Sequence, residues 1–114
     1  MIIENAVISS TQLGTGDSPC FNFWINLDYG GSGQGFGGHA LDQWDEPAGR
    51  RVGVAYGTEA IMGVLRVVGV DNWEQLPGKS VRVKKTDHFG RIVALGNYLK
   101  DEWLDLKELA ERMR

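Results

Sequence analysis

The residues able to carry chemistry concentrate in one stretch, Tyr29-Gly30-Gly31-Ser32-Gly33-Gln34-Gly35-Phe36-Gly37-Gly38-His39. Gly33-x-Gly35-x-x-Gly38 matches the letters of a dinucleotide fingerprint, which requires a strand before it and a helix after it. His39-Ala40-Leu41-Asp42 follows without helical period, so that context is missing. Ser32 lacks the second flanking glycine of a nucleophile elbow, because position 34 is glutamine. Cys20 would need an imidazole from His39 or His88 to act as a nucleophile, and reads instead as a buried structural thiol. One cysteine and two distant histidines show no zinc spacing. Asp42, Asp45 and Glu46 lack a calcium-loop pattern and read as a solvated acidic loop. No cofactor or metal is expected, and binding is the favoured activity, with catalysis left open.

The elements around this stretch decide what it can bind. Phe21 to Tyr29 alternates, with Phe21, Phe23, Ile25, Leu27 and Tyr29 on one side and Asn22, Trp24, Asn26 and Asp28 on the other. Residues 30–33 read as the loop of a hairpin, and 34–42 as its second strand. In that register Asp28 lies opposite Gly35, Asn26 opposite Gly37 and Trp24 opposite His39. A glycine within a strand gives up packing and adds chain entropy, so Gly35, Gly37 and Gly38 need a reason. One reason is a bare floor for a flat ligand or another backbone. A bent or bulged hairpin, or a closely packed helix, explains the glycines equally well. The candidate binding surface is Trp24, Asn26, Asp28, Gln34 and His39, with Gly35 and Gly37 as floor. Tyr29 and Ser32 sit at its turn, and Asp42, Asp45 and Glu46 lie beside it.

The rest of the chain supplies the support. Residues 2–10 read as a strand and 12–19 as a loop. Residues 43–51, with Pro47 and Gly49, read as loop. A helix with Thr58 as its N-cap carries Ile61, Val64, Leu65 and Val68 and stops at Gly69. Asp71 and Glu74 have capping-box spacing. Residues 80–85 and 91–99 form a second hairpin, with Val81 and Val83 inward and Arg82 and Lys84 outward. Asp105 caps a last helix whose stripe is Leu106, Leu109 and Met113. The expected fold is α+β, an antiparallel sheet of about five strands with a main helix and a C-terminal helix on one face.

Composition bounds these readings. The 114 residues make one domain. No apolar run suffices to span a bilayer, and the first residues lack the positive charge of a signal peptide. A single cysteine permits no internal disulfide and fits a reducing cytoplasm. The net charge is −3. Residues 1–49 contain no Lys or Arg, whereas 50–91 hold an excess of them, a pattern in which the two halves attract each other within the fold. Lys79, Arg82, Lys84, Lys85 and Arg91 gather on one hairpin without the stacking aromatics of single-strand binders, so nucleic acid is not the expected partner.

Two strings carry a resemblance. The first is Leu27 to Asp42, LDYGGSGQGFGGHALD, followed by Gly49-Arg50-Arg51-Val52-Gly53. The second is Val67 to Lys79, VVGVDNWEQLPGK. Together they resemble a family of small phage- and prophage-encoded proteins of uncharacterised activity, over roughly residues 1–105. The resemblance implies a phage accessory product. Small products of that class often inhibit host defences, CRISPR effectors included. The expectation is an anti-CRISPR-like inhibitor that binds a host protein or defence complex in the bacterial cytoplasm. The alternative is a sponge for a small signalling nucleotide, using the glycine hairpin. No membrane partner is expected, and a homodimer is a further form to test.

Overall fold

The computed structural model describes residues 1–114. The chain is α+β. Its main sheet is six-stranded and antiparallel, in the spatial order Gly33–Gly37, Asn22–Asp28, Ile2–Gly14, Ser80–Lys85, Ile92–Asn97 and Trp103–Leu104. The strands are β1 (Ile2–Gly14), β2 (Asn22–Asp28), β3 (Gly33–Gly37), β6 (Ser80–Lys85), β7 (Ile92–Asn97) and β8 (Trp103–Leu104). β4 (Asp42–Asp45) and β5 (Arg50–Gly53) make a separate small hairpin. The helices are α1 (Ala55–Val68) and α2 (Leu106–Arg112), with a 3-10 turn at Trp73–Gln75. No helix is long and apolar enough to cross a membrane.

β1 is the spine. Its first half pairs with β6 and its second half with β2. It continues to Gly14, through residues expected to be loop, because both β2 and Asn22 at its start offer partners that far. A bulge at Ser9 interrupts the register, and the Ser9 hydroxyl donates to the Asn26 carbonyl at 3.1 Å.

The core forms where period two meets the helical stripe. Phe23, Ile25, Leu27 and Phe36 are buried in one cluster with Ile8, Val81, Val83, Leu95, Val64 and Val67. Ile61 and Val68 pack at its margin. Phe23 meets Trp73 edge-on, with ring centroids 5.6 Å apart. The Trp73 indole N–H donates to the Thr11 hydroxyl at 3.0 Å.

Four local expectations are corrected. Helix α1 begins at Ala55, not after Thr58, and has no side-chain cap. Gly57 in its first turn lies against the Leu41 carbonyl, where any Cβ would overlap, so docking rather than capping sets this start. The end is as expected: Gly69 has φ 89° and its N–H donates to the Leu65 carbonyl. The capping box before the 3-10 turn uses Asn72 and Gln75, one residue beyond Asp71 and Glu74. Residues 43–51 are not simple loop but mostly the β4–β5 hairpin. Asn22 has the outward parity of Trp24 but is buried, and its amide donates to the Cys20 carbonyl at 3.0 Å. The Asp105 cap is present, its carboxylate accepting from Glu108 N at 3.0 Å.

Candidate functional site

The glycine hairpin turns more tightly than its sequence suggests. The Tyr29 N–H donates to the Ser32 carbonyl at 2.9 Å, leaving Gly30 and Gly31 as the connection. Gly30 takes φ 105°, and its N–H donates to Asp28 Oδ1 at 2.7 Å. The register therefore shifts by two residues. Trp24 lies opposite Gly37, Asn26 opposite Gly35 and Asp28 opposite Gly33. A shift of two keeps every side chain on its face but changes every partner. β3 ends at Gly37, where positive φ at Gly37 and Gly38 turns the chain. His39 follows as an exposed residue outside the strand, not opposite Trp24.

The floor is not bare. A Cβ at Gly35 would sit 2.8 Å from Trp24 Cε3, and one at Gly38 would overlap the same indole. Trp24 thus lies across the glycines and fills the space proposed for a flat ligand. At Gly37 a Cβ would overlap the Phe23 carbonyl. These glycines admit a ring and a close backbone.

The expected site residues fall into three groups. Trp24, Asn26 and Asp28 share the outer face, with Gly35 and Gly37 beneath; Asn26 donates from Nδ2 to the Ser10 hydroxyl at 2.9 Å. Tyr29 and Gln34 lie on the opposite, core-side face. The Tyr29 hydroxyl donates to Gln34 Oε1 at 2.7 Å, and Gln34 Nε2 donates to the Gly90 carbonyl at 3.1 Å. Lys85, buried beside them, sits 4.7 Å from the Tyr29 ring centroid and 3.4 Å from Glu4 Oε1, and donates to the His88 carbonyl. Burial, with a smaller push from the Glu4 carboxylate, raises the Tyr29 phenol to about 12. This polar cluster ties down the β6–β7 loop. Ser32 belongs to the turn.

The third group is the acidic loop, which is engaged in its own hairpin. Arg51 Nε lies 3.0 Å from Asp42 Oδ2, and Arg51 Nη2 donates to the Asp42 carbonyl. The Arg51 guanidinium holds the Asp42 carboxyl below its ordinary value. Asp45 accepts from Ala48 N, and Glu46 accepts from Trp44 Nε1. These carboxylates shape the β4–β5 turn. No group of His, Cys, Asp and Glu is placed to hold a metal ion.

What sequence reasoning missed is the rest of the outer face. Both helices pack on the core side, so Ile3, Val7, Trp24 and Tyr98 stay exposed, at 52%, 43%, 39% and 44%. Asn5, Val7, Asp28, Ser80 and Tyr98 line a shallow depression of about 280 Å³ there. Farther along, Trp103 from β8 lies over Gly96, with the Lys84 ammonium 4.1 Å and the Arg82 guanidinium 4.9 Å from its ring centroid. Arg82 also donates to the Asn97 and Lys100 carbonyls. The aromatic absent from the basic hairpin therefore arrives from the next strand. The outward parity of Ile3, Asn5 and Val7 was the available signal for this face.

No family model, curated protein or solved structure matches this chain.

Proposed function

We propose that this protein is a phage accessory product that acts by protein–protein contact through the outer face of its sheet, inhibiting a host defence complex in the bacterial cytoplasm in an anti-CRISPR-like way. The observation that carries the binding mode is the uncovered face itself, where Val7 and Tyr98 line the depression and Ile3 and Trp24 are exposed elsewhere on the face. Contiguous apolar surface left in water favours a contact role, and these side chains lie on a face that no helix covers. The resemblance of the glycine motif to small phage proteins supports the biological role. Filling of the glycine floor by Trp24 favours this reading over a nucleotide sponge on that floor.

The test is a plaquing assay in bacteria carrying a defined CRISPR effector that targets the infecting phage. Expression of the chain should raise plaquing strongly. Val7→Lys, an exposed substitution within about 0.5 kcal/mol of neutral for stability, should remove that effect. Unchanged plaquing across a panel of effector types would overturn the defence reading. Full activity of both Val7→Lys and Tyr98→Lys would overturn the choice of face.

A further inference from the structure

The two outer strands of the main sheet are β3 and β8. In an antiparallel pair, residues alternate between those bonded to the neighbour and those whose backbone groups point away. The bonds at the two ends of the β2–β3 pairing fix that alternation. Tyr29 N–H donates to Ser32 O, and Gly38 N–H donates to Phe23 O. Between them, Leu27 with Gln34 and Ile25 with Phe36 are the bonded pairs. The backbone groups of Gly33 and Gly35, and the Gly37 N–H, therefore point out from the open edge. Gly33 and Gly35 are exposed.

That edge lacks two of the usual protections. From Tyr29 to Gly38 there is no charged residue and no proline. It is also self-complementary. A twofold axis through Gly35 sets Gly35 against Gly35 of a second copy, with both backbone bonds exchanged, and sets Gly37 N–H against Gly33 O. The β3 residues on the outer side at every such position are glycines, so no β3 side chain there stands between two copies, and Trp24 of β2, lying across Gly35, is the side chain beside the contact. A foreign peptide gains selectivity from pockets for its alternate side chains, and glycines build none. We infer that β3 pairs with β3 of a second copy of this chain, joining the two sheets across a twofold axis. The contact uses the edge and leaves the outer face free, so it stands or falls separately from the defence role.

A short strand pair of this kind buries little area and makes a weak, reversible dimer. Sedimentation velocity should show the mass rising from monomer toward dimer between about 10 µM and about 1 mM. Over the same range, amide exchange at Gly35 and Gly37 should slow in step with the dimer fraction, while Gln34 and Phe36 stay protected throughout. A chain that remains monomeric overturns the proposal. So does a dimer in which the Gly35 and Gly37 amides exchange as in the monomer. A second test removes one donor. Trp24→Ala clears space above Gly35, and Trp24→Ala/Gly35→Pro then deletes the central N–H at an edge position that tolerates proline. The single variant should dimerise and the double should not. Equal dimerisation of both, with unchanged circular dichroism, overturns the pairing.

Discussion

Two places in this sheet solve the same problem differently. In the β2–β3 hairpin, Trp24 lies across Gly35 and Gly38. At the other side, Trp103 of β8 lies across Gly96 of β7, its cross-strand partner. Gly35 and Gly96 each leave a gap on the pleated surface, and each of these gaps is covered by an indole from the neighbouring strand. The Trp103 ring is also held from outside, by Lys84 and Arg82 above it and by its N–H bond to Asp101 Oδ1 at 2.8 Å. Trp24 has no cation on its ring and remains 39% exposed. The difference separates a fixed prop from a ring whose outer side is available for contact. A glycine-rich strand therefore need not be a ligand floor.

The largest test of this comparison is Gly37→Val. Positive φ and the Phe23 carbonyl both exclude a side chain there. A cost of about 3 kcal/mol or more is expected, and a thermal melt should show loss of most of the folded population. A near-normal melt would mean that the hairpin can flatten.

The intermediate test sets the tryptophans against each other. Trp103→Ala should destabilise by about 2 kcal/mol, from lost apolar burial and two cation–π contacts. Trp24→Ala should cost about 1 kcal/mol, because its ring is less enclosed and unpaired. Denaturant melts read both. Gly35→Ala should be harmful with Trp24 present and close to neutral in Trp24→Ala, since the added methyl clashes with the indole and meets Asn26 Oδ1 only at an ordinary 3.7 Å. Additive costs would break the claim that ring and glycine form a unit.

An effect confined to high pH lies on the core-side face of the same hairpin. The Tyr29 phenol is pushed up to about 12 from an ordinary 10.0. Its folded form holds the proton more tightly than the unfolded chain does. That stabilisation is complete below pH 10.0 and lost as pH rises through about 12. Melting temperatures across this window should fall less steeply in Tyr29→Phe than in the parent. Tyr56, also raised by burial, contributes equally to both and cancels in the difference.

Much of the fold was legible. The period-two runs of β2 and β6 placed Phe23, Ile25, Leu27, Val81 and Val83 inside, and the Gly69 stop and the Asp105 cap are found where local chemistry put them. The candidate site was less legible. Trp24, Asn26 and Asp28 share a face, but Tyr29 and Gln34 belong to the other, and Asp42, Asp45 and Glu46 are spent within their own hairpin.

The division has a physical cause. Which side of a strand a residue takes depends on the pleat alone, a local property that survives a register shift of two. Which residue it meets depends on the turn and on strands far away in the chain. The alternation in residues 21–29 was therefore enough to say that Trp24 points away from the core. Only the tertiary structure could decide that a two-glycine turn slides β3 until that indole covers Gly35 and Gly38, and that Trp103 reaches Gly96 between Arg82 and Lys84.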